Sequence, residues 1–166
     1  DISTSDYLPN RDSVRDFSKN FNSFSKVLDA GCGNVKNINY FKNDCEIIGI
    51  DNCSNFIKLC KANNLNVIES DIRYLPFDNN HFDFVMSIAV IHHLDSEEKH
   101  INAIIELLRI LKLNGELLFT LWAYESDIYS KKKKFKRGDN YINFNKSKRY
   151  YYIYDKYMLI NMLNKI

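Results

Sequence analysis

Apolar residues along this chain fall into short blocks separated by polar, turn-forming stretches, and the blocks follow two periods. Val27–Asp29, Glu46–Asp51, Asn66–Asp71, Phe82–Val90 and Glu116–Ala123 are near-continuous apolar runs of strand length. Such runs suit strands covered on both faces. Between them the spacing turns helical. Asn37–Lys42 reads as a short helix, and Ser54 is positioned to cap a helix that runs to about Ala62. Ile101, Ile104, Ile105, Leu108 and Leu111 form one apolar stripe, with Asp95 and Glu98 as a capping box ahead of it and Gly115 as a stop signal behind. Val14, Phe17, Phe21 and Phe24 predict a short helix near the N-terminus, lying over the ligand crevice. Residues 126–148 carry little apolar content and read as an excursion. Tyr151, Ile153, Tyr157, Leu159, Ile160 and Leu163 predict a C-terminal helix that packs back on the sheet.

Regular alternation of strand and helix predicts an α/β fold: a doubly wound, mostly parallel sheet with helices on both faces. The 166 residues suit a single domain over 1–166. The pattern stops short of a final antiparallel pair of strands, so C-terminal strands are expected to be missing from this length. Apolar content of 45% and charged content of 27% are those of a soluble globular chain. No apolar run approaches the ~18 residues of a membrane span, so no membrane partner is expected. Cys32, Cys45, Cys53 and Cys60 have neither Cys-x-x-Cys nor zinc-ligand spacing. They read as reduced thiols in a cytoplasmic or nuclear protein with no bound metal.

In such a sheet, ligands sit at the carboxyl ends of the strands, where the winding reverses. The first strand ends in Asp29-Ala30-Gly31-Cys32-Gly33-Asn34. Glycines here permit a sharp turn and a close approach to a ligand. The dinucleotide fingerprint needs a third glycine where Lys36 stands, and a carboxylate at Asp29 would repel a pyrophosphate while suiting an ammonium group. Asp51, 20 residues after Gly31, ends the second strand and can accept both hydroxyls of a ribose. Asn52 follows it. Asp71 ends the third strand, where it can accept from an adenine amino group while the Ile72 amide donates to the ring. Ser87–Ile91, including Ala89, closes the fourth strand. A lone acid at a strand end often only caps a helix; three on consecutive strands form a site.

The glycine turn and Leu75-Pro76-Phe77-Asp78-Asn79-Asn80-His81-Phe82-Asp83 resemble class I S-adenosylmethionine (SAM) methyltransferases, which have a Rossmann-like fold. Ser87-Ile88-Ala89-Val90-Ile91-His92-His93-Leu94 is narrower. With Leu118–Ala123 and Arg149-Tyr150-Tyr151-Tyr152-Ile153-Tyr154, it resembles the eukaryotic tRNA wobble-uridine methyltransferases, which esterify 5-carboxymethyluridine. The resemblance implies SAM as cofactor and S-adenosylhomocysteine as product, held by Asp29, Gly31, Cys32, Gly33, Asp51, Asn52, Asp71, Ile72, Ser87 and Ala89. It implies a tRNA anticodon loop as substrate, His92 and Arg149 at the acceptor, and a small zinc-binding activator protein as partner. Two positions depart from that family: Val35 stands where glycine is usual, and Tyr152 where histidine is usual.

Charge adds one feature. Lys131 to Arg149 holds nine basic residues against the single acid Asp139, while the chain as a whole is only +2. A basic segment on an acidic body suits contact with a polyanion. Phe135, Tyr141 and Phe144 are interleaved with it, and Tyr150 and Tyr151 are candidates to stack on bases. Two alternatives remain open on the residues alone: a SAM-dependent methyltransferase of a small molecule, and a non-catalytic subunit that keeps the fold to scaffold a partner.

Overall fold

The computed structural model describes residues 11–41, 44–125, 135–144 and 147–166. Five strands form a wholly parallel sheet: β1 (Lys26–Ala30), β2 (Glu46–Asp51), β3 (Val67–Glu69), β4 (Phe82–Ile88) and β5 (Leu111–Thr120). Their spatial order is β3-β2-β1-β4-β5, so the winding reverses between β1 and β4. Beyond β5 lies an antiparallel hairpin of β6 (Gly138–Phe144) and β7 (Ser147–Ile153).

The two faces of the sheet have different cores. On one, α1 (Arg11–Phe17), α2 (Lys36–Phe41) and α3 (Ser54–Ala62) cover Val27, Ile47 and Met86. Phe17 and Phe21 meet Phe84 edge-on and tilted, with ring centroids 5.8 and 4.7 Å away. On the other, α4 (Glu97–Arg109) and α5 (Lys156–Leu163) bury Leu28, Ile50 and Val85 with Ile104, Leu107 and Met162. Alternation along each strand assigns neighbouring side chains to opposite cores.

Several local expectations are corrected. Ser54 is the first helical residue of α3 rather than its cap; the cap is Cys53. Ser96, not Asp95, caps α4 by accepting from the Lys99 amide, and Asp95 pairs with the Lys99 ammonium. Gly115 lies inside β5 instead of stopping a helix. A Cβ there would stand 2.8 Å from the Asp83 carbonyl oxygen, where the β4–β5 register shifts. Glycine is needed for that close approach. The excursion contains β6, and Tyr150–Ile153 belong to β7, which leaves only Lys156–Leu163 as helix.

Candidate active site

The winding reverses between β1 and β4, and in such sheets the ligand crevice lies at the carboxyl ends of the strands at that point. Leaving β1, the chain turns at Gly31 (φ 86°), and the Gly31 and Cys32 amides both donate to the Ile50 carbonyl at 2.8 Å. A Cβ on Gly31 would sit 2.2 Å from Val90 Cγ2, so only glycine lets the loop lie against the segment after β4. Gly33 (φ 49°) differs: a Cβ there would meet nothing within 4 Å. The loop is open on that side.

Asp51 is fixed under this opening. Its Oδ2 accepts from the Gly33 amide and its Oδ1 from the Cys53 amide, each at 2.9 Å. One backbone donor per oxygen locks the carboxylate in place and leaves each oxygen lone-pair capacity for a hydroxyl. Asn52 is exposed beside it. Asp71 follows β3 and is gripped by Arg73, whose Nε and Nη2 reach Oδ1 and Oδ2 at 2.9 and 2.5 Å. That bidentate pair holds the Asp71 carboxyl below its usual range. Ile72 buries its side chain in the core next to it.

Asp29 is 1% exposed, and neither oxygen finds a hydrogen-bond partner among the described residues. Burial pushes its carboxyl up to about 7; the neighbouring Asn37 side chain, short of a well-formed hydrogen bond, opposes the rise, and the Asp51 charge adds to it. Buried polar atoms are nearly always partnered, so an orphaned pair at a strand end marks a place prepared for a donor or a cation. Cys32 is buried, and burial raises its thiol far above the ordinary range, followed by the charges of Asp29 and Asp51. It packs as a neutral side chain and contributes to the loop through its backbone.

The end of β4 holds further orphaned atoms. Ser87 is fully buried with its Oγ unpartnered among the described residues. Ala89 takes a positive φ of 59° and donates to Thr120 Oγ at 2.9 Å, which ties the end of β4 to β5. His92, in the short helical turn Ile91–His93, is fully buried with both ring nitrogens unpartnered among the described residues. Burial, then the neighbouring His93 and His100, hold its pKa well below the usual value, so the ring is neutral.

His92 sits in an aromatic box. Tyr151 stacks on it with centroids 5.6 Å apart and planes 15° apart, and Trp122 lies 5.5 Å away. Trp122 and Tyr151 stack on each other at 4.5 Å, backed by Phe135. The hairpin thus delivers one wall of the site. Tyr151 is spent on this box and is only 7% exposed, so it has no face left for a base. His93 is structural: its Nδ1 bonds the Tyr150 carbonyl at 3.0 Å and pins β7 to the turn. Arg149 is exposed and lies two residues before Tyr151, on the same face of β7, about 7 Å along the strand. Its charge contributes to lowering the His93 pKa, after burial.

The structure therefore gathers Asp29, Gly31, Cys32, Gly33, Asp51 and Asn52 at one side of the crevice. Ser87, Ala89 and His92 lie at the other, and Arg149 approaches from the hairpin. The aromatic box was not foreseen as a unit. Its signal was the alternation Arg149, Tyr151, Ile153, a period of two that helical spacing obscured. Lys131–Lys134 and Lys146 lie outside the described residues.

Comparisons with known proteins agree with this architecture. The profile of the methyltransferase-domain family matches residues 28–119. A tRNA (carboxymethyluridine(34)-5-O)-methyltransferase of Xenopus tropicalis is 36% identical over 122 residues, covering 74% of this chain and 19% of that protein. The enzyme of the same name from Schizosaccharomyces pombe is 40% identical over 115 residues, covering 68% of this chain and 48% of that protein. The chain thus spans between a fifth and a half of the length of these two relatives. Among solved structures, a SAM-dependent methyltransferase from Methanosarcina mazei superposes with a TM-score of 0.75 at 18% identity, covering 97% of this chain and 84% of that one. A methyltransferase from Haloferax volcanii, solved in complex with a methyltransferase activator, gives a TM-score of 0.60 at 19% identity over 72% of this chain and 57% of that one. By its matched profile and its strand order, the chain belongs to the methyltransferase-domain family and has the Rossmann-like fold of SAM-dependent methyltransferases.

Proposed function

We propose that this domain transfers the methyl group of SAM to the carboxymethyl group of a wobble uridine in tRNA, forming the methyl ester. The observation that carries the cofactor reading is the Asp51 carboxylate, pinned by one backbone amide on each oxygen beneath the open face of Gly33. A charged acceptor with a free lone pair on each oxygen fits a ribose diol. The orphaned Asp29 carboxylate suits the cofactor's ammonium group. Asp71 and Ile72 would meet the adenine edge, and Ser87 and Ala89 the methionine arm. The acceptor reading rests on the relatives' names together with the histidine box.

When bound, SAM supplies an electrophilic methyl on a sulfonium. The acceptor carboxylate is already ionised at neutral pH, so no general base is required. With SAM held by these residues, an oxygen lone pair of the acceptor would form the new O–CH3 bond while the electrons of the C–S bond stay on sulfur. What the protein supplies is alignment and exclusion of water. Neutral His92 offers one N–H to orient the acceptor without fully neutralising its charge, which would blunt its nucleophilicity. Arg149 grips a carboxylate or phosphate from the hairpin. A small zinc-binding activator docked along a sheet edge and a cytoplasmic location complete the reading.

Calorimetric titration with S-adenosylhomocysteine tests the first half. Asp51→Ala is expected to weaken binding about a hundredfold, the loss of two charge-assisted bonds. Equal binding by both proteins would overturn the placement of the ribose. The second half is tested by incubating the protein with SAM and a carboxymethylated anticodon stem-loop, with and without activator. Ester formation is expected. Methylation of small carboxylic acids but not of the stem-loop would favour the small-molecule reading instead.

A further inference from the structure

The β6–β7 hairpin has a second face that the site does not use. Its register pairs Tyr141 with Tyr150 and Asn143 with Lys148, so these four side chains share one face. Arg149 and Tyr151 point to the other, toward the histidine box. Of the aromatic residues interleaved with the basic segment, Phe135 is buried against Trp122 at 5.6 Å. Tyr141 is different: it is 69% exposed. Its ring is nonetheless held. Tyr150 supports it edge-on at 5.4 Å, the Tyr150 hydroxyl is anchored on Asp139 at 2.6 Å, and the Tyr150 carbonyl is tied to His93. Lys148 is exposed two residues from Tyr150 on the same face, about 7 Å along the strand.

We propose that this outer face, Tyr141 with Lys148, is a docking platform for a single-stranded RNA loop. Tyr141 stacks on a base next to the modified nucleotide, and Lys148 takes a neighbouring phosphate. The proposal rests on the tRNA reading above and deepens it, by assigning the flanking nucleotides to a surface distinct from the acceptor pocket. Three features argue for this occupant. A large aromatic ring held rigid yet exposed offers a π-face at low entropic cost, and base stacking on such rings is tolerant of sequence. The cation lies one residue pair away on the same strand face, close to the spacing of adjacent nucleotides. The segment carries nine basic residues against one acid, Asp139, whose carboxylate accepts from the Tyr150 hydroxyl on this same face. A protein partner would not need the aromatic ring to be isolated between polar neighbours.

The test measures binding of a carboxymethylated anticodon stem-loop by wild type, Tyr141→Ala, Tyr141→Phe and Lys148→Ala, with S-adenosylhomocysteine affinity as a check on the fold. Tyr141→Ala is expected to bind RNA about tenfold more weakly. Tyr141→Phe, which keeps the ring, should stay within about twofold. Lys148→Ala should weaken binding and flatten the salt dependence by about one phosphate contact. All four should bind S-adenosylhomocysteine alike. In methyl transfer the loss should fall on KM for RNA while kcat holds. If wild type binds and methylates the stem-loop and Tyr141→Ala does so equally well, the platform is overturned alone. If wild type neither binds nor methylates it, the tRNA reading falls and the platform with it.

Discussion

Val35 shows how much one side chain can be asked to tolerate. It follows the glycine turn with a φ of 58°, and its side chain is buried at 6% exposure among Cys32 and Ile38. A β-branched residue in the left-handed region carries a penalty of about 1–2 kcal/mol. Burying its apolar surface returns roughly 1.5–3 kcal/mol. The strain is therefore offset locally, and the loop keeps its geometry without the glycine usual at this position. Two substitutions separate the terms. Val35→Ala loses the burial but keeps a Cβ in a left-handed conformation; Val35→Gly loses the burial and relieves the strain. Denaturant unfolding should find Val35→Gly about 1 kcal/mol more stable than Val35→Ala. The reverse order would mean that the loop is unstrained.

The element that carries Asp71 and Ile72 is a stretch with little regular structure, residues 70–81, and α4 holds it in place. Arg109 donates to the Phe77 and Leu75 carbonyls at 2.8 and 3.0 Å and to Asn79 Oδ1 at 2.8 Å. Glu106 accepts from the Leu75 amide at 2.9 Å and pairs with Arg109 at 2.7 Å. Arg109→Ala leaves several of these groups unpartnered. It should cost about 2–3 kcal/mol and lower hydrogen-exchange protection of the Leu75 amide selectively, with the hairpin unaffected; uniform loss of protection would refute a local clamp. The sequence made the strand ends and their acids legible, because apolar runs that stop at a carboxylate encode both burial and site. It could not reveal this clamp, since Glu106 and Arg109 look like an ordinary i,i+3 surface pair. It misread the end of β7 as helix because Ile153, Tyr157, Ile160 and Leu163 satisfy helical spacing once the break at Tyr154–Asp155 goes unseen. The excursion was misjudged for a related reason. β6 is mostly polar and, among the described residues, pairs with β7 alone, so its pairing has no local signature.

Across the whole molecule, buried titratable groups set a pH window for folding. His92, His93 and His100 all have depressed pKa values, with burial the first cause in each. His100 shows what is at stake. Its Nε2 donates to the Leu94 carbonyl at 2.8 Å, so Nδ1 accepts from the Tyr154 hydroxyl at 2.6 Å, a tautomer assigned from the network. Protonation would abolish that acceptor and loosen the link between α4 and the chain leaving β7. The unfolded chain binds these protons first, so stability is full above about pH 6.5 and falls as pH drops below it. Asp29 acts with the opposite sign. Its folded pKa of about 7 lies above the unfolded value of 3.8, so the folded state keeps a proton that the unfolded chain has released, and stability falls as pH rises toward 7. The two effects oppose each other below neutrality, the histidines favouring higher pH and Asp29 lower. Asp29→Asn removes the Asp29 contribution alone, and its advantage over wild type should grow between pH 5 and pH 8 by on the order of 2 kcal/mol. A cationic ligand that pairs with Asp29 should do the same without mutation. Thermal melts across this range, with and without S-adenosylhomocysteine, would show it as ligand stabilisation that increases with pH in wild type but not in Asp29→Asn. A pH-independent ligand shift in wild type would mean that Asp29 does not meet the ammonium group, and its orphaned oxygens would need another partner.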